Sequence, residues 1–287
     1  MPSIFQNMRS PGKPQVGTWV KIESLVTLEI LADAGYDFVI IDLEHSPISL
    51  EWVHIACAIA QPREVGVVVR MPDSTGAQIQ RVLDLGVDGV ILPQLRSAAE
   101  TDAVIGAAMF PPRGRRGVAT TTRAGRWGTH TRETYIQHGD QAVLRCIQFE
   151  TAESFDDIEA MLDVSGVNAA LFGRVDLSVA LDLPVTDPKL QQLSATLVRQ
   201  ASRRSIPCGT AVNSVAEARE AIGAGFTFVI VGNVRCARRF GTTIMISLLS
   251  VPKARTWIHL VEAGRDVPAM TEISAQREGR GCGPHRS

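Results

Sequence analysis

Eight short β-rich runs recur down this chain of 287 residues, and helical stretches separate most of them. The runs are "VGTWVKI" (16–22), "FVIIDL" (38–43), "VGVVVR" (65–70), "GVILP" (89–93), "VLRCIQFE" (143–150), "NAALFG" (168–173), "PCGTAV" (207–212) and "FTFVIVG" (226–232). Between them, "LVTLEILADAG", "TGAQIQRVLDLG", "SAAETDAVIGAAMF", "TAESFDDIEAML", "PKLQQLSATLVRQASRR" and "SVAEAREAIGAG" show helical spacing, and several close on glycine. Strands that alternate with helices imply a parallel sheet, and near-continuous apolar strands imply burial on both faces. Eight such units predict an α/β fold of one closed (β/α)8 TIM barrel. A doubly wound open sheet is the structural alternative, but no GxGxxG follows the first strand to support it.

The bulk numbers agree with a large single core. The chain is 45% hydrophobic, and its length permits one big barrel or two ordinary domains. A net charge of −1 gives no whole-chain attraction to nucleic acid or to an anionic membrane. The start, "MPSIFQNMRSPGKPQVG", lacks the apolar core of a signal peptide, and no run approaches a membrane span, so a cytoplasmic location is expected. Cys57, Cys146, Cys208, Cys236 and Cys282 show no metal-ligand spacing, and the first three lie in apolar runs where a reduced, buried thiol is expected. Arg113, Arg115, Arg116, Arg123, Arg126 and Arg132 form a local excess of charge. It reads either as a solvated loop or as a site for phosphate or carboxylate.

A parallel barrel places its chemistry where strands end and the following loops begin. The residues there are Trp19 and Lys21; Asp42, Glu44 and His45; Arg70; Pro93 and Gln94; Gln148 and Glu150; Arg174 and Asp176; Thr210 and Val212; and Gly232. Side chains two apart share a face, so Gln148 and Glu150 point together, opposite Ile147 and Phe149. With the aromatic side toward the helices, Gln148 and Glu150 face the barrel interior. By the same rule Asp42 and Glu44 share a face.

Glu150 and Asp176 belong to neighbouring strands ~5 Å apart, within reach of one ion. Two carboxylates with no histidine close in sequence suit a hard divalent cation such as Mg²⁺ or Mn²⁺, with Co²⁺ as a further option, rather than zinc. The plain alternative for Asp176 is a cap on the helix begun by "DLSVAL". Arg70 is a fixed cation at the same rim, suited to an oxyanion or to a structural salt bridge with Glu150 or Asp84. His45 is the one histidine at a predicted strand end, with Asp42 and Glu44 beside it to orient the ring.

Taken in order, "GTWVKIES", "IDLEHSP", "VVVRMP", "GVDGVILPQLRSAAE", "FPPRGRRGV", "IQFET" and "LFGRVDLS" resemble the metal-dependent pyruvate aldolases of the HpcH/HpaI type. The likeness spans roughly Gly17 to Gly232. It implies a barrel of the phosphoenolpyruvate/pyruvate type that reversibly cleaves 4-hydroxy-2-oxo acids to pyruvate and an aldehyde through a metal-bound pyruvate enolate. It implies Glu150 and Asp176 as metal ligands, Arg70 as stabiliser of the enolate, and His45 as the group that handles the aldol hydroxyl proton. Asp42 and Asp84 hold the supporting acidic positions. Gln148 and the backbone of the Gly173, Arg174 and Val175 loop would contact pyruvate, and Trp19, Val175 and Val212 would line the aldehyde side. The expected partners are a small 2-oxo acid and an aldehyde, and the expected assembly is a homo-oligomer, trimer or hexamer.

The physical logic runs the same way. Aldol cleavage leaves electrons on the carbon next to the ketone, and a metal with an arginine holds them without covalent chemistry. Schiff-base catalysis is the competing design. Of the four lysines (Lys13, Lys21, Lys189 and Lys253), only Lys21 falls at a predicted strand end. Decarboxylation of oxaloacetate on the same scaffold, or a non-catalytic carboxylate-binding barrel, are the alternative functions.

The sequence departs from the family pattern twice. Relatives usually carry Pro-Ala where this chain has Arg174 and Val175, which points to a changed substrate range. The barrel is expected to fill residues 1–234, while 235–287 read as a divergent basic tail whose apolar pieces are broken by Gly241 and Pro252. That tail is expected to be a docking segment or disordered.

Overall fold

The computed structural model describes residues 7–8 and 13–233. The tail with Cys236, Lys253, His259, Cys282 and His285 lies outside the described residues. All eight expected strands form: β1 (Gln15–Val20), β2 (Phe38–Asp42), β3 (Gly66–Arg70), β4 (Gly89–Leu92), β5 (Leu144–Phe149), β6 (Ala169–Phe172), β7 (Cys208–Val212) and β8 (Phe228–Asn233). Each pairs in parallel with the next, and β8 returns to β1, which closes the barrel in sequence order. No open sheet edge remains.

Side-chain alternation sorts the strands into two cores. Val39, Ile41, Val67, Val69, Ile147 and Phe149 pack outward against the helices. Trp19, Phe38, Ile40, Val68, Ile91, Leu144, Cys146, Leu171, Phe228 and Ile230 fill the interior, joined by Met8. Filling a narrow barrel requires small residues opposite large ones. A Cβ on Gly17 would lie 2.2 Å from the Phe38 ring, and one on Gly209 would lie 2.1 Å from the Phe228 ring. Those two rings meet edge to face at 6.1 Å.

A repeated device closes the floor. The residue just before each even strand caps the start of the preceding odd strand. Asp37 accepts from Val16 N–H at 2.9 Å, Asp88 from Val67 at 2.8 Å, Asn168 from Arg145 at 2.6 Å, and Thr227 from Cys208 at 3.0 Å. These N–H groups would otherwise be buried without acceptors. At the opposite end, Ser24, Ser49, Ser97, Thr151 and Ser214 accept from the first turn of the helices they precede.

The helices differ from the sequence expectation in three places, one of them the helix Arg132–Gln141, which no expected helical stretch covers. Leu50–Ala60 is a helix that the periodicity did not announce, because it is apolar nearly all round. The single helix expected over "TAESFDDIEAML" splits at Asp157, whose carboxylate turns to accept Ala98 N–H at 2.6 Å.

The arginine-rich segment is solvated in part, with Arg113, Arg115, Arg126 and Arg132 exposed, and structural in part. Arg116 is buried, pairs with Asp84 at 2.8 Å, and stacks 4.6 Å from the Phe110 ring. Arg123 donates to the carbonyls of Leu85 and Gly86, and Arg115 to that of Ala103. These guanidinium groups brace the long crossing between β4 and β5 against helix ends. Cys57, Cys146 and Cys208 are buried free thiols, as expected, and burial pushes the Cys57 thiol up to about 12. Among the described residues, no helix is long and apolar enough to cross a membrane.

Candidate active site

The interior-facing residues at the C-terminal ends of β1, β2, β3 and β5 meet at one mouth. Asp42 and Arg70 are Cα partners across β2 and β3. Arg70 donates from Nε to Asp42 Oδ1 at 2.9 Å and from Nη2 to Oδ2 at 2.7 Å, a bidentate fork. Lys21 Nζ reaches the same carboxylate at 2.8 Å. Burial alone would raise the Asp42 carboxyl; Arg70 and Lys21 outweigh it and hold it at about 2. Trp19 supports the fork from below, its ring centroid 4.4 Å from the Arg70 guanidinium carbon. The residue expected on the aldehyde side therefore also seats the arginine.

The sequence left open which acid serves His45. Asp42 is fully buried and committed: besides the two cations, its Oδ1 accepts the backbone N–H groups of Glu44 and His45, each at 3.2 Å. Glu44 is the acid beside the ring, with Oε2 3.7 Å from His45 Nε2 and 3.2 Å from Arg70 Nη1. That oxygen is buried and accepts no hydrogen bond. Burial pushes the Glu44 carboxyl up, Arg70 and His45 oppose the shift, and Asp42 and Asp176 add repulsion. The His45 side chain is 53% exposed, open to the mouth.

Glu150 follows β5 and is 2% exposed. Its Oε1 accepts the Gln94 N–H at 2.8 Å, and its Oε2 accepts from Gln148 Nε2. Gln94 holds a left-handed φ of 59° to present that N–H, a contribution the sequence did not disclose. Gly173 has a reason to be glycine: an added Cβ would lie 2.7 Å from Glu150 Cβ and 3.0 Å from its Oε2. Burial pushes Glu150 up to about 7; the Gln94 N–H opposes this, and the charges of Asp176 and Glu44 add to it. Asp176 lies in the first turn of the helix Arg174–Ala180, whose cap is Gly173. The helix-cap alternative for Asp176 therefore falls.

This donor set fits a hard divalent cation. It offers oxygens only, the neighbouring carboxylates of Asp176 and Glu44 disfavour the charged form of Glu150, and among the described residues Gln148 Oε1 is buried with no donor. Among the described residues, no group of three or more His, Cys, Asp or Glu gathers to hold a metal.

Two expected site residues lie elsewhere. Asp84 ends the helix Gly76–Asp84, bonded to Arg116 and 3.3 Å from the Tyr135 hydroxyl. A helix that follows a parallel strand runs back toward the barrel floor, so its last residue leaves the mouth of its own chain. Val212 packs in the core between barrel and helices, while its neighbour Ala211 takes the exposed position at the mouth. Period-2 alternation decides which of the two turns inward. Val175 is 65% exposed on the rim.

Comparison with known proteins agrees with this geometry. The profile of the HpcH/HpaI aldolase/citrate lyase family matches residues 15–234. A 2-keto-3-deoxy-L-rhamnonate aldolase from Escherichia coli (strain K12) is 29% identical over 231 residues, covering 79% of this chain and 86% of the relative. The solved HpcH/HpaI aldolase from Desulfitobacterium hafniense DCB-2 superposes with a TM-score of 0.74 at 25% identity, over 90% of this chain and 95% of that one. A family protein from Burkholderia cenocepacia J2315 also gives 0.74, at 26% identity over 80% and 92%. With this match across the whole described barrel, the chain belongs to the HpcH/HpaI aldolase/citrate lyase family and is a carbon–carbon lyase.

Proposed function

We propose that the chain is a divalent-metal-dependent pyruvate aldolase that reversibly cleaves 4-hydroxy-2-oxo acids to pyruvate and an aldehyde. The observation that carries this reading is the Arg70 guanidinium locked on Asp42 and 3.2 Å from Glu44, with the Glu150 carboxyl near enough to feel the charges of Arg70, Glu44 and Asp176. Of its five N–H donors, the Asp42 fork uses two and Nη1 faces Glu44 at 3.2 Å; the others remain for a developing oxyanion.

A divalent cation held by Glu150 and Asp176 supplies Lewis acidity toward the 2-oxo acid. The remaining work falls to the chain itself. His45 takes the proton from the C4 hydroxyl as the C3–C4 bond breaks, and C4 departs as the aldehyde. The bonding pair stays on C3 as the enolate of pyruvate, whose oxygen Arg70 stabilises. A proton from water completes the pyruvate methyl group at C3, and the exposed His45 ring returns its proton to solvent. Glu44, 3.7 Å from His45 Nε2, is placed to orient the ring. Gln148 and the Gly173 backbone position the 2-oxo acid, and Trp19 and Val175 border the aldehyde.

The test is exchange of pyruvate methyl protons in D₂O with Mn²⁺ or Mg²⁺, with and without chelator, followed by an aldehyde panel. Exchange that needs the metal, with carbon–carbon bond formation on adding aldehyde, supports the reading. Exchange without any aldol product would favour other enolate chemistry such as oxaloacetate decarboxylation. No exchange with any divalent ion would leave a carboxylate-binding barrel. We also read residues 1–234 as the barrel domain and 235–287 as a separate segment, in a cytoplasmic homo-oligomer, trimer or hexamer. Sizing the full chain against residues 1–234 tests the role of that segment in assembly.

A further inference from the structure

Among the described residues, permanent cations at the mouth end of the barrel include Lys21, Arg70, Arg96 and Arg174, with Lys189 further out in the first turn of the helix Pro188–Arg203. Lys21 and Arg70 pair with Asp42, and Arg70 also faces Glu44. The side chains of Arg96 and Arg174 have no hydrogen bond or ion pair among the described residues. Both are exposed, so both are available to a ligand.

Their positions differ. Arg174 directly follows Gly173, whose backbone abuts Glu150, and it stands two residues before Asp176. An arginine at that point is tied to the two carboxylates proposed to hold the metal. Its neighbours Val175 and Val179 are 65% and 76% exposed, giving an apolar strip on the same short helix. Arg96 lies further along its loop, beyond Gln94 and the buried Leu95.

Resting on the aldolase reading, we propose that Arg174 determines specificity by selecting aldehydes that carry an anionic group away from the carbonyl, a carboxylate or a phosphate ester. The aldehyde carbonyl sits toward His45, its carbon stem lies near Val175, and its distal anion meets the Arg174 guanidinium. A planar fork of N–H donors recognises either oxyanion, and no other unpaired cation follows directly on the Glu150 contact.

The experiment measures aldol addition by the full chain with Mn²⁺ and saturating pyruvate, using matched aldehydes. Butanal is compared with succinate semialdehyde, and glyceraldehyde with glyceraldehyde 3-phosphate. The quantity read is the ratio of kcat/KM for the anionic over the neutral member, which cancels any loss common to both. The wild-type ratio is expected to exceed unity by about tenfold for at least one anion, carried by KM and weakened by added salt. Whether the carboxylate or the phosphate pair shows it names the source. In Arg174→Ala the ratio should collapse toward one, in R174K recover in part, and in Arg174→Glu fall below one. A wild-type ratio near one for both pairs, or a ratio unmoved in Arg174→Ala, would overturn the assignment. So would an equal collapse in Arg96→Ala, which would mark a diffuse field. Pyruvate proton exchange, run without aldehyde, separates the two failures. Exchange with an unmoved ratio sinks only the specificity inference, and absent exchange sinks the aldolase reading and the inference with it.

Discussion

Arg70 and Asp42 form a two-pronged ion pair across adjacent strands, 2.9 Å from Nε and 2.7 Å from Nη2, with both side chains buried. Lys21 closes one side of it and Glu44 approaches the other.

Asp42→Asn removes the negative partner from a buried arginine and from Lys21. We expect a loss of roughly 3 kcal/mol in stability, since the surviving cation stays buried without its charge partner. Urea unfolding of the two proteins measures it. A loss below about 0.5 kcal/mol would mean the fork contributes no more than a surface pair.

The same pair sets an acid limit. The Asp42 carboxyl stands at about 2 in the folded chain against an ordinary 3.8, so folding favours its charged form. Its contribution, on the order of 2 kcal/mol, is complete above pH ~4 and is lost as pH falls through ~2. Between about pH 6 and pH 2, the stability gap between wild type and Asp42→Asn should therefore narrow. A gap that is constant with pH would contradict this.

Metal dependence is expected to rest on the two rim acids. Chelation should abolish pyruvate exchange and Mn²⁺ should restore it, with the far-ultraviolet circular dichroism unchanged. Glu150→Gln and Asp176→Asn should each weaken Mn²⁺ binding, by calorimetry or electron paramagnetic resonance, by about tenfold or more. Wild-type affinity in either variant would remove that residue from the ligand set.

His45→Ala is expected to lower aldol cleavage by about 100-fold or more, the usual weight of a positioned acid–base group. Pyruvate exchange should fall much less, because no C4 hydroxyl takes part in it. Glu44→Gln should shift the pH profile of cleavage without abolishing exchange. An equal loss of both activities in His45→Ala would place the histidine in pyruvate binding instead.

Gly209→Ala tests the interior packing. Its Cβ would enter the Phe228 ring at 2.1 Å, so the melting temperature should drop with a cost of about 1–3 kcal/mol. Adding Phe228→Leu should recover part of that loss, since the smaller side chain vacates the clash.

Much of this fold is legible in the order of its residues. The eight strands announce themselves because both faces are buried, so most runs are largely apolar and stop where the polar mouth begins. Alternation then places Asp42, Arg70, Gln148 and Glu150 on the interior face. The helix Leu50–Ala60 stays hidden because a segment apolar nearly all round carries little periodic signal.

Sequence by itself determined the order of strands and helices, the barrel class, and the residue types that reach the mouth. These follow from periodicity and from the one-dimensional order of polar and apolar side chains. Only the tertiary structure decided who pairs with whom. It gave Asp42 to Arg70 and Lys21, left Glu44 beside His45, brought the Gln94 N–H to Glu150 across 56 residues, and turned Asp84 toward Arg116. It also gave Arg115, Arg116 and Arg123 structural contacts within the arginine-rich segment. The physical reason is that pairing depends on distance after closure. Barrel register and the reversed run of each helix set that distance, and neither is written in any local stretch of chain.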